Sequence, residues 1–102
     1  MMAMLMNDAD LAQTVTKCFL EDMPHQIAAL TGYLKAGDVT GVERQVHSIK
    51  GASANVCSEV LRKLAIEMEK AAMSGDLVAV ASRMAELEAK FDALKKAMTE
   101  EG

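Results

Sequence analysis

Gly37-Asp38-Val39-Thr40-Gly41-Val42-Glu43-Arg44-Gln45-Val46-His47-Ser48-Ile49-Lys50-Gly51-Ala52-Ser53 (37–53) opens with a stop and a cap, then repeats an apolar residue every three or four positions. Glycine ends a preceding helix because it accepts a left-handed backbone, and aspartate then caps the next helix. At about 100° per residue, Val39, Val42, Val46, Ile49 and Ser53 fall on one side of the run. Glu43, His47, Lys50, Gly51 and Ala54 fall on another. A strand would alternate every second residue, and this run does not. The reading is one amphipathic helix with a core stripe and a separate polar face.

The same spacing extends outward in both directions. Upstream, residues 8–23 predict a short helix with Leu11, Val15 and Phe19 on one stripe. Pro24 suits the first turn of a second helix, ending near Ala36 and carrying Ile27, Leu30 and Leu34; the alternative is one helix continuing through a kink. Downstream, a helix from about Ser58 shows Leu61, Leu64, Ala65, Met68 and Ala72. Gly75-Asp76 repeats the stop and cap. The last helix shows Leu77, Val80, Ala81, Met84, Leu87, Phe91, Leu94 and Met98. Such helices are too short and too amphipathic to stand alone. Connections of a few residues make successive helices antiparallel neighbours. The expected fold is all-α: an antiparallel up-and-down four-helix bundle with a short additional N-terminal helix. Residues 1–7 are expected to be a flexible lead and 8–102 a single domain.

Composition agrees. Of 102 residues, 51% are apolar, 3% are aromatic and one is proline. That balance favours helix over sheet. A chain of this length builds one core. The net charge of -4 argues against a basic nucleic-acid footprint. Cys18 and Cys57 form neither a disulfide framework nor a metal-spacing pair and fit a reducing compartment. The apolar start, Met1 to Met6, has no basic flank and is too short for a signal peptide or a membrane span. The expectation is a cytoplasmic protein with no membrane association.

Chemistry concentrates on the polar face of residues 37–53. An ordinary imidazole, titrating near ~6.5, is mostly neutral and nucleophilic at pH 7. Lys50, one turn after His47, places an ammonium where phosphoryl oxygens would lie, and Arg44, one turn before, adds a second cation. Glu43 is placed to accept from one ring nitrogen and orient the other. Gly51 costs about 1 kcal/mol relative to Ala inside a helix, and its missing side chain opens the surface beside His47. Ala54 keeps that surface low. Ser53 points inward and can bond back to the Ile49 carbonyl. A lone histidine on a helix is usually an ordinary surface residue; the conjunction of these groups opposite a clean apolar stripe is what singles out this one. No phosphate-binding glycine loop of a nucleotide-driven enzyme occurs. His25 and Cys18, without a carboxylate pair at metal spacing, do not make a metal site.

His47-Ser48-Ile49-Lys50-Gly51-Ala52-Ser53 resembles the His-x-x-Lys-Gly-x-Ser signature of histidine-containing phosphotransfer (HPt) domains of bacterial two-component phosphorelays. The resemblance runs from about Phe19 to Met98 and includes 34–38 before the signature and 68–77 after it. It implies a monomeric bundle with no nucleotide site and no cofactor of its own. Such a domain is a covalent phosphoryl carrier rather than an enzyme, shuttling a phosphoryl group between receiver-domain aspartates, with Mg²⁺ supplied by the receiver. Its partners would be response-regulator receiver domains and a hybrid histidine kinase. By position, His47 would be the phosphoacceptor, Lys50 the phosphate-stabilising cation and Gly51 the access residue. Two positions depart from the pattern: Cys57 stands where the family commonly has glycine, and Met73 where it often has a basic residue. Asn55 is then the residue suited to stop the helix, and Arg44 and Lys70 could make up the charge. Docking would use a patch around His47, with Leu11, Val15 and Phe19 as further candidates. The alternatives are a degenerate relative that docks receivers without being phosphorylated, and an unrelated helical adaptor or cofactor-binding bundle.

Overall fold

The computed structural model describes residues 2–56 and 58–101 of the backbone, and the side chains of 16–56 and 58–98. All of its regular elements are helices: α1 (Met2–Ala36), α2 (Val39–Asn55), α3 (Glu59–Met73), α4 (Leu77–Ser82) and α5 (Met84–Glu101). α1 packs on α2, α2 on α3, and α3 on α4 and α5, which close back against α1. That closed ring of neighbours is a helical bundle around one core.

The two Gly-Asp pairs build the same joint twice. Gly37 and Gly75 take left-handed backbone, with φ of 69° and 77°. The amide after each reaches back five residues, Asp38 N–H to the Tyr33 carbonyl at 3.0 Å and Asp76 N–H to the Ala71 carbonyl at 2.9 Å. This pattern satisfies carbonyls that the helix end would otherwise orphan. Each aspartate then caps the next helix: Gly41 N–H donates to Asp38 and Ala79 N–H to Asp76, both at 3.0 Å. α2 ends at Asn55, as expected, and Ser58 N–H closes its end on the Ser53 carbonyl at 2.9 Å.

The N-terminal boundary differs from the main expectation. The structure joins the separate short helix of 8–23 and the helix beginning at Pro24 into α1, the continuation that was the alternative. Pro24 removes one backbone bond, at a cost of about 3 kcal/mol in a helix interior. Phe19, Met23, Ile27 and Leu30 are all buried along one stripe of α1. Burying such side chains contributes roughly 1.5–3 kcal/mol each, which outweighs the lost bond. Met23, read as a helix end, is therefore a core residue.

The last expected helix is instead two. The Ser82 hydroxyl donates to the Ala79 carbonyl at 2.7 Å, and Arg83 N–H bonds the Val80 carbonyl at 3.0 Å, tightening the turn that ends α4. Arg83 fastens the joint by pairing with Glu67 on α3 and with Glu86 on α5.

The core follows the apolar stripes: Val42, Val46, Ile49 and Ser53 of α2, Leu61, Leu64, Ala65, Met68 and Ala72 of α3, and Val80, Leu87 and Phe91 of α4 and α5. Phe19 and Phe91 meet edge to face at 5.8 Å, joining α1 to α5. Val39 and Ala81, expected on the stripes, are exposed. Val39 is the first residue of α2, where the opening turn overhangs the end of the core. Ala81 lies in the closing turn of the six-residue α4. The side chains of Leu11 and Val15, and Cys57 altogether, lie outside the described residues.

Candidate functional site

Burial of Val42, Val46, Ile49 and Ser53 fixes the rotation of α2. Ser53, the buried polar residue of this stripe, donates its hydroxyl to the Ile49 carbonyl at 2.8 Å and so needs no other partner. With that side inward, His47 is turned outward, its side chain 68% exposed. Lys50 lies between the two faces, 30% exposed, against α3.

The ring is held by a residue of another helix. His47 Nδ1 lies 2.8 Å from Glu69 Oε2, and Lys50 Nζ donates to Glu69 Oε1 at 2.7 Å. Glu69 is only 15% exposed, so both donors meet a carboxylate partly shielded from water. The Lys50 hydrogen bond, with a smaller contribution from His47, holds the Glu69 carboxyl below its ordinary value of 4.5, while partial burial opposes this. A carboxylate can only accept, so the proton of this bond sits on Nδ1. In the neutral ring the lone pair is then on Nε2, which has no hydrogen-bond partner among the described residues. A fixed tautomer with its lone pair toward solvent is the arrangement a nucleophilic imidazole needs.

Glu43, expected to orient the ring, does not: it is half-buried and makes no hydrogen bond among the described residues. The orienting role along one helix yields to a contact across two, because Glu69 borders the apolar stripe of α3 and faces α2. Arg44 is exposed and faces a shallow polar hollow with Tyr33, Asp38, Thr40, Gly41 and Gln45. Gly51 is exposed, and a Cβ built on it would meet nothing within 4 Å among the described residues outside its own stretch of helix. Packing inside the chain therefore does not require glycine there. Gly41 is the opposite case: a Cβ would come to 2.5 Å from the Tyr33 ring. Ala54 is exposed beyond Gly51, and Met73 is 66% exposed one turn after Glu69 on α3. His25 lines a groove between α1 and α2 with Cys18, Phe19, Glu21, Asp22, Ala52, Asn55 and Val56. Among the described residues no group of three or more His, Cys, Asp or Glu is placed to hold a metal ion. Among the described residues no helix is long and apolar enough to cross a membrane.

Comparison with protein families matches residues 15–97 to the model of the Hpt domain. The chain belongs to the Hpt domain family. Comparison with curated proteins and comparison with solved structures each returned no match. Hpt domains serve phosphotransfer in phosphorelays as phosphocarrier modules and interact there with receiver domains and kinases. The match spans all of α2, α3 and α4 and most of α5, so the whole His47 face lies inside the Hpt domain. Glu69 is the site residue that sequence reasoning missed. It stands within 68–77, a stretch that carries the Hpt resemblance, but the spacing along one helix says nothing of a partner 22 residues away. The available signal was its position, a carboxylate flanked by the core residues Met68 and Ala72 at the rim of an otherwise apolar stripe.

Proposed function

We propose that this protein is a histidine phosphotransfer carrier that accepts a phosphoryl group on Nε2 of His47 from a receiver-domain aspartate and passes it to another. The observation that carries this reading is the Nδ1–Glu69 hydrogen bond beneath an exposed ring. In the forward step the Nε2 lone pair attacks the phosphorus of the aspartyl phosphate. The N–P bond forms as the P–O bond to the aspartate breaks, and the aspartate leaves as a carboxylate. The ring keeps its Nδ1 proton, and the positive charge it gains faces the Glu69 carboxylate. The receiver supplies the Mg²⁺ that neutralises the moving phosphoryl group, and this chain supplies no cofactor.

The surroundings support the same reading. Gly51 and Ala54 keep the surface beside His47 low enough for another protein's aspartate to approach. Lys50 offsets the Glu69 carboxylate, and Arg44, one turn before His47 on the same helix, adds a positive charge that favours a phosphoryl dianion. The connections of two or three residues that separate α1, α2, α3 and α4 support antiparallel neighbours in an up-and-down bundle, with 8–102 as the working domain and a monomer in the cytoplasm as the active form.

The test incubates the protein with a panel of Mg²⁺-loaded, phosphorylated receiver domains. Acid-labile, base-stable label is expected on the wild type and not on His47→Gln. Stable receiver binding without label would favour the docking-only adaptor, and neither binding nor label would overturn the reading.

A further inference from the structure

We propose that Lys50 acts on His47 through Glu69 rather than by contacting the phosphoryl group, as a positioning residue that shares the carboxylate with the imidazole and keeps the ring neutral. The inference rests on His47 being the reactive group, and it concerns how that group is held ready.

One carboxylate serves two donors, each on its own oxygen: Lys50 Nζ at 2.7 Å on Oε1 and His47 Nδ1 at 2.8 Å on Oε2. With a neutral ring the three groups sum to zero charge. Take away Lys50, and a partly buried carboxylate faces the imidazole alone. The cheapest way to restore neutrality is then to protonate the ring, which removes the Nε2 lone pair. Lys50 therefore protects the nucleophile by satisfying Glu69. The short bond to Glu69, whose side chain is only 15% exposed, commits one of the three Nζ–H donors of Lys50 to the carboxylate.

No other group facing the triad does this work. On α2, Glu43 and Arg44 make no bond to the ring or to Glu69 among the described residues. On α3, Lys70 is exposed and makes no bond to the ring or to Glu69 among the described residues, and Arg62 is engaged by Glu59 at 2.9 Å. Met73, one turn beyond Glu69, brings no charge.

The experiment follows the ring nitrogens of His47 by ¹⁵N NMR across a pH titration of the unphosphorylated protein, with transfer rates from a phosphorylated receiver measured in parallel. Lys50→Met is expected to move the ring's titration to higher pH and to cut the transfer rate at pH 7 by about 3- to 10-fold, with the acid limb of the rate profile moving the same way. Lys50→Arg, which still pairs with a carboxylate, should restore both. In a Glu69→Gln background, Lys50→Met should change either quantity by less than about two-fold, because there is no carboxylate left to share. An unmoved ring titration in Lys50→Met would overturn the inference. So would an equal rate loss in the wild-type and Glu69→Gln backgrounds, the result expected of a lysine that touches the phosphoryl group. If no receiver phosphorylates even the wild type, the proposed function fails, yet the titration still decides whether Lys50 governs the ring. Melting curves of each variant guard against misfolding, and Lys50→Arg keeps the test open should Lys50→Met not fold.

Discussion

Gly51 separates two demands that usually pull together. Among the described residues, nothing beyond its own stretch of helix lies within 4 Å of a Cβ at that position. Gly51→Ala is therefore expected to stabilise the bundle by roughly 0.5–1 kcal/mol through helix propensity, measured by urea unfolding. The same variant should transfer phosphoryl groups more slowly, because the methyl group stands beside His47 on the approach surface. Equal or faster transfer would remove Gly51 from the site. Glu69 gives a pH signature of its own. Its carboxyl is held below the ordinary value, chiefly by Lys50, so the ionised form is favoured in the folded state. That contribution is complete above the unfolded value and disappears as the pH falls through the lower folded one. Glu69→Gln should thus be less stable than wild type at pH 7, with the gap narrowing below about pH 4.5; chemical denaturation at a series of pH values measures it. At this scale the sequence was partly readable. Helical projection alone assigns His47, Lys50 and Gly51 to one face. Glu69 was hidden because its partners are brought to it by the packing of α2 on α3, which no spacing within one helix encodes.

The helix ends are the most legible elements, since caps and stops are local chemistry. Gly37-Asp38 and Gly75-Asp76 each make a left-handed stop followed by a side-chain cap. Asp38→Ala should cost about 1 kcal/mol of stability, seen in thermal or urea unfolding, while leaving transfer at His47 intact once the protein is folded. Pro24 misled for an equally physical reason. Its local preference is for a helix start, but the buried run Phe19, Met23, Ile27 and Leu30 continues through it. Pro24→Ala is accordingly expected to stabilise α1 by about 1–3 kcal/mol, less whatever freedom the unfolded chain regains. No gain, or a loss, would mean that the proline serves the fold. The break at Arg83 was illegible because it depends on Glu67 of α3 as well as on its own helix.

The bundle as a whole is a frame that turns one face of α2 outward and backs it with α3. Met68, fully buried next to Glu69, belongs to that frame. Met68→Ala should cost roughly 2–5 kcal/mol of stability and, by loosening α3, weaken the hold of Glu69 on the ring. The all-helical class was plain from the apolar period, which placed the whole buried stripe of α3 and missed on the others only at their margins, as at Val39 and Ala81. What the period cannot supply is which helices touch, and the site depends on that. The central claim is that packing makes His47 a nucleophile at Nε2 by fixing the proton on Nδ1. ³¹P and ¹⁵N NMR of the chain phosphorylated by a receiver tests it most directly. The account predicts phosphorus bonded to Nε2 of His47 with Nδ1 still protonated; phosphorus on Nδ1, on any other residue, or on none would contradict it.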